Sequence, residues 1–139
     1  MKKVKTIPDT TKRLANFSIS EVLDFIPFDK EGKPLEGILK DKEYCGHMIH
    51  MTSLRYRVYK AKGVKCCVCG LEGKHFGLDL PITSNRPHFN LYAVDEDGEE
   101  VLMTKDHIQP RSKGGTDHLD NLQPMCARCN FSKGNKWKG

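Results

Sequence analysis

Apolar and polar positions divide the chain into a few readable elements. Ser18–Phe28 (SISEVLDFIPF) places Val22, Leu23 and Phe25 or Ile26 on one stripe, with Ser20 set to cap a short helix and Pro27 to end it. Asp29–Pro34 is a turn, and Leu35–Leu39 stays open between a short strand and a continued loop. Met51–Lys62 reads as a second helix, with Thr52 or Ser53 near its start, Gly63 as its stop, and Leu54, Val58 and Ala61 on one face. Residues 71–104 read as β structure, with residues 81–87 as a loop. His88–Val94 and Glu99–Met103 flank Asp95-Glu96-Asp97-Gly98, and a D-G pair between two strand-like runs is a strong hairpin signal. The acids of that turn are expected to face solvent. The second strand runs on into Asp106-His107, followed by a long polar loop, Gln109–His118, that contains Gly114-Gly115. A short pairing segment then leads to a closing helix, with Pro124 at its start, Cys126–Lys133 as its first turns and Gly134 as its stop.

The chain has 139 residues and is 37% hydrophobic, enough for one domain with an extension and a core small enough to need support. No apolar run approaches the roughly 20 residues that span a bilayer. The basic start, MKKVKTIPDTTKRLANF, lacks the apolar stretch of a secretory signal, so a cytosolic protein is the default expectation. Residues 1–65 hold 14 Lys/Arg against 8 Asp/Glu, residues 66–104 hold 2 against 7, and residues 105–139 hold 7 against 3. Two basic segments therefore flank an acidic one, a distribution suited to a polyanion such as nucleic acid.

Cysteine spacing adds chemistry. Cys66-x-x-Cys69 and Cys126-x-x-Cys129 supply four soft thiolates, the set of a closed tetrahedral zinc site. The pairs are 56 residues apart, so one zinc would tie distant parts of the chain together. Cys67 falls outside this spacing, and His47 and His50 near Cys45 match no closed ligand set. A second group is harder in character. Asp106 and Asn130 offer oxygens suited to Mg²⁺ or Mn²⁺ beside phosphate. The neighbouring His107 is a proper general base near pH 7. On a regular strand Asp106 and His107 point to opposite faces, so the strand must bend or end there for both to serve one phosphate.

Asp106-His107-Ile108-Gln109-Pro110, Gly114-Gly115, Asn121-Leu122-Gln123 and Cys126-Ala127-Arg128-Cys129-Asn130 together resemble the HNH endonuclease family. The final histidine of the family's name is Asn130 here, an H-N-N variant similar to phage-type HNH nucleases. The resemblance implies an α+β fold: a ββα-metal (His-Me finger) core with a four-cysteine zinc site in residues 51–139, preceded by a helical extension in residues 1–50. It also implies metal-dependent nicking or cleavage of DNA that leaves 5′-phosphate and 3′-hydroxyl ends. In that scheme His107 activates water, Asp106 and Asn130 hold Mg²⁺ or Mn²⁺, and Asn121 orients the loop and the His107 ring. Structural Zn²⁺ sits on Cys66, Cys69, Cys126 and Cys129. Arg111, Lys113, Lys133, Lys136 and Lys138 contact DNA phosphates, and Trp137 either packs under the closing helix or stacks on a base. Further implications are action in a bacterial or phage-infected cell and a phage or mobile-element protein as a second partner. The rival reading, a zinc-stabilised DNA-binding module without catalysis, needs the cysteines and basic residues but not Asp106, His107 and Asn130 together.

Overall fold

In the computed structural model, which describes residues 11–134 and 136, the Asp95–Gly98 turn joins two antiparallel strands, β5 (His88–Val94) and β6 (Glu100–His107). Gly98 takes φ 79°, which the turn demands and glycine supplies without strain. Contrary to expectation, Asp95 is buried. Its Oδ1 accepts the backbone N–H groups of Asp97 and Glu99, and its Oδ2 accepts Arg128 Nη2 at 3.0 Å. One acid of the turn thus anchors the closing helix.

Five strands form the main sheet in the order β1-β4-β5-β6-β7, with β1 at Thr11–Ser18, β4 at Gly73–Pro81 and β7 at Leu122–Cys126. Strand period 2 puts Phe76 and Leu78 of β4, Phe89, Leu91 and Ala93 of β5, and Val101 and Met103 of β6 in one core, all fully buried. Helix α1 (Ile19–Leu23) adds Val22, and helix α2 (Leu54–Lys62) adds Tyr56 and Tyr59. Helix α2 stops at Gly63, where the sequence places its end, and starts at Leu54, later than Met51. Ser53 takes the N-cap position but makes no side-chain hydrogen bond. The helix buries Tyr56, Val58 and Tyr59, while Leu54 is only half-buried. The aromatic rings offer more area to the sheet than the aliphatic stripe does and set the helix's rotation.

Residues 11–50 are not the helical extension anticipated. Strand β1 pairs with residues 75–81 of β4, and the helix shrinks to five residues capped by Ser18, with Glu21 closing a capping box. Residues 35–39 are loop, and strands β2 (Asp41–Tyr44) and β3 (His47–His50) form a hairpin. Tyr44 packs edge-on against Phe89 at 4.7 Å and against Phe17 at 5.2 Å, which joins the hairpin to the same core. No helix among the described residues is long and apolar enough to cross a membrane.

The opposite face of the sheet is polar. Arg13 of β1 lies over the Tyr92 ring, pairs with Asp79, and grips Glu100 through Nη1 at 2.9 Å and Nη2 at 3.0 Å. Gly77 makes room, because a Cβ there would collide with the Arg13 guanidinium. Burial pushes the Glu100 carboxyl up, but hydrogen bonds from Arg13 and His75 outweigh it and hold the pKa below the ordinary value. A depressed folded-state pKa gives stability that is complete above the unfolded value, about 4.3, and lost as pH falls through the folded value. Thermal melts from pH 5.5 to 3 should show a steeper acid decline for the wild type than for Glu100→Gln; identical slopes would dismiss this source of pH dependence.

Candidate active site

Strand β6 ends at His107, and this ending resolves the alternation problem. Asp106 and His107 leave opposite sides of the last strand step, yet both line one cavity of about 270 Å³ with Asn130, Lys105, Arg111 and Ser112. Asn130 comes from α3 (Ala127–Lys133), which follows β7 directly. Pro124 lies inside β7 rather than at the helix start; on an edge strand its missing N–H is tolerated, and Cys126 is the helix cap instead.

Each side chain of the cavity is held by a neighbour. Asp106 is buried, and its Oδ2 accepts Lys133 Nζ at 2.6 Å and Gln123 Nε2 at 2.9 Å. Both bonds fall on Oδ2, leaving Oδ1 for another ligand. Lys133 Nζ also donates to the His107 carbonyl at 2.7 Å, so its ammonium is turned inward, away from the DNA contact read from the sequence. His107 Nε2 lies 2.7 Å from Asp117 Oδ1, and Arg111 approaches the same carboxylate at 3.6 Å. The hydrogen bond with His107, with Arg111 adding to it, holds the Asp117 carboxyl below its usual range.

Asn130 Nδ2 donates to Thr104 Oγ1 at 2.8 Å, while the Thr104 hydroxyl spends its own proton on the Met125 carbonyl at 2.7 Å. Thr104 can therefore only accept from Asn130. The amide must present its NH₂ to Thr104, and its oxygen is the branch left for a cation. Thr104→Val keeps the shape and removes this constraint. Turnover at this cavity should fall on the order of 10–100-fold in that variant, with metal on the four cysteines unchanged; turnover at the wild-type rate would mean that Thr104 does not fix the amide.

Asn121 pins the loop. Its Oδ1 accepts the Gln109 N–H at 2.8 Å, its Nδ2 donates to the Gln109 and Thr116 carbonyls, and its own carbonyl accepts the Ile108 N–H. The His107 ring is held by Asp117 rather than by Asn121, so Asn121 acts on the loop alone. Gly115 is required there because any Cβ would run into the Gln109 carbonyl. Arg111 lines the cavity and is exposed, Lys113 and Lys136 are exposed as well, and Trp137 and Lys138 lie outside the described residues. Sequence reading missed Thr104, Asp117 and Gln123. Asp117 left a trace, a carboxylate two residues after the Gly-Gly turn, and Gln123 stood in the family motif without a role of its own.

Behind the cavity, the ligand atoms of Cys66, Cys69, Cys126 and Cys129 lie within 4.8 Å of one another. Tetrahedral zinc with bonds of about 2.3 Å requires sulfur–sulfur edges of about 3.8 Å, and Cys69 and Cys126 are 3.8 Å apart. Burial pushes the Cys66 thiol up, but backbone hydrogen bonds at Cys126, Cys69 and Val68 outweigh it and lower the pKa to about 6. Burial pushes Cys126 and Cys129 up, and the neighbouring sulfurs reinforce it. A cation among the sulfurs would offset the rise at Cys126 and Cys129. This donor set fits zinc. The knuckle turns at Gly70, φ 79°, and the Cys67 N–H bonds the Pro124 carbonyl, tying it to β7.

Strand, pinned loop, strand and helix, with a histidine at the end of the first strand and an asparagine on the helix, are the parts that a comparison with known families recognises. Residues 95–136 match the HNH endonuclease family. The HNH segment covers the hairpin turn, β6, the Asn121 loop, β7 and α3, and these two strands and helix are the ββα unit of that family. Nuclease action on DNA is the chemistry the HNH match carries. No curated protein and no solved structure matches the chain.

Proposed function

We propose that the chain is a metal-dependent DNA endonuclease or nickase that hydrolyses phosphodiester bonds and leaves 5′-phosphate and 3′-hydroxyl ends. The observation that carries this reading is the convergence of Asp106, His107 and Asn130 on one cavity within the HNH segment. A zinc-stabilised binding module would have no use for a histidine oriented by a carboxylate beside a held asparagine.

His107 is the general base. With Nε2–H donated to Asp117, its Nδ1 lone pair is left to take a proton from water. Asp106 and Asn130 offer the hard oxygens that Mg²⁺ or Mn²⁺ takes, and a cation there supplies polarisation of a non-bridging phosphate oxygen and charge stabilisation at the leaving 3′ oxygen. Lys133 and Gln123 keep the Asp106 carboxylate in place, and Asn121 keeps the loop that brings Asp117 to His107. Arg111, Lys113 and Lys136 take backbone phosphates, contacts that position DNA without reading its sequence.

End-group analysis tests the proposed chemistry. Fragments produced with Mg²⁺ or Mn²⁺ should be rejoined by DNA ligase without prior end repair. Fragments that need a kinase and a 3′-phosphatase before ligation would contradict the proposed ends.

A further inference from the structure

A second cavity, of about 590 Å³, lies between the β2–β3 hairpin, the start of α2 and the loop leading into β5. Its size is within the range of small-ligand sites. The walls carry Arg55, Arg86, His47, His50 and His88, and no carboxylate lines them. His50 is already paired, with Asp41 of the hairpin. Arg55 is fixed, with Nη2 donating to the Phe89 carbonyl at 2.9 Å and its buried Nε without a hydrogen-bond partner. Helix α2 has nine residues, and its N-cap, Ser53, makes no side-chain hydrogen bond to the first turn, so the positive end of the helix also faces this cavity. Burial, reinforced by Arg55, lowers the His88 pKa.

Among the described residues, only the four cysteines bring three or more His, Cys, Asp or Glu ligand atoms together, so the histidines of this cavity do not form such a set. Fixed positive charge, an uncapped helix start and walls without acid instead suit an anion with several oxygens. The location indicates which anion. His88 opens β5 at the end remote from the 95–98 turn, and β6, paired antiparallel with β5 from Val94–Glu100 to Tyr92–Leu102, heads back in that direction before it joins β7 and delivers Asp106 and His107. We propose that this cavity binds a backbone phosphate of the DNA strand outside the cleavage centre, held by Arg86, Arg55 and His47.

The inference rests on DNA being the substrate, and its test is separate from cleavage. The full chain carrying His107→Ala is titrated with a 20-base-pair duplex across a salt series, with and without Arg86→Gln and His47→Gln. Both added changes are at the cavity wall, outside the main sheet and the zinc site. Affinity should fall, and the slope of log affinity against log salt should become shallower by about one, as expected when the protein neutralises one phosphate fewer. Unchanged affinity and slope, or no duplex binding in either protein, would overturn the proposal. Inorganic phosphate serves as the second probe. Thermal stabilisation by phosphate that depends on Arg86, with the DNA slope unaltered, would also overturn it by assigning the cavity to a free anion. Nicking of plasmid by wild-type protein reports separately on the nuclease reading, so either claim can fail alone.

Discussion

Cys129→Ser is expected to release zinc and unfold the HNH segment. Structural zinc contributes an apparent binding free energy of about 10–16 kcal/mol at neutral pH, as large as the entire stability of a typical domain, about 5–15 kcal/mol. A metal held by the four cysteines would close a long loop here. Cys66 and Cys69 belong to the knuckle before β4, whereas Cys126 caps α3 and Cys129 lies in its first turn. Losing one sulfur therefore frees the helix that carries Asn130 and Lys133. Metal analysis should find about one zinc per wild-type chain and little in the variant, and the variant should lose its cooperative thermal transition. Cys67→Ser is the control, since Cys67 lies outside the four-sulfur set. Full zinc content in Cys129→Ser, or zinc loss in Cys67→Ser, would refute the assignment.

His107→Ala should leave a folded, zinc-loaded protein that binds DNA and does not cut it. The side chain lines the cavity and its only hydrogen bond among the described residues is to Asp117, so truncation removes one contact at the cavity wall. Loss of a general base costs about 10²–10⁴-fold in rate. The backbone carbonyl of His107, which Lys133 grips, survives the change, and so does the Asp106 arrangement. A fall in cleavage with duplex affinity retained would separate the chemical role from a binding role. Equal cleavage would remove His107 from the mechanism.

Much of this site could be read from the sequence because its signals are local. The D-G hairpin, the C-x-x-C spacing and the Gly-Gly loop each depend on residues a few positions apart, and the backbone realises each of them. The misreadings arise where long-range packing decides. Strand β1 has no strong alternation of its own and becomes a strand because β4 offers it a free edge. Asp95 reads as a solvated turn acid by its neighbours in sequence, yet Arg128, 33 residues on, reaches it. Lys133 reads as a surface cation, but at the end of a short helix it falls over Asp106 and the His107 carbonyl. Thr104 left no signal at all. Its role follows from the Met125 carbonyl, which fixes the direction of its hydroxyl proton.

The most direct test is supercoiled plasmid incubated with zinc-loaded protein, with and without Mg²⁺ or Mn²⁺, beside His107→Ala and Asn130→Ala of equal zinc content. The account predicts relaxed or linear DNA only with wild-type protein and added divalent metal, and intact plasmid with both variants. Cutting without the added metal, or undiminished cutting by either variant, would contradict it.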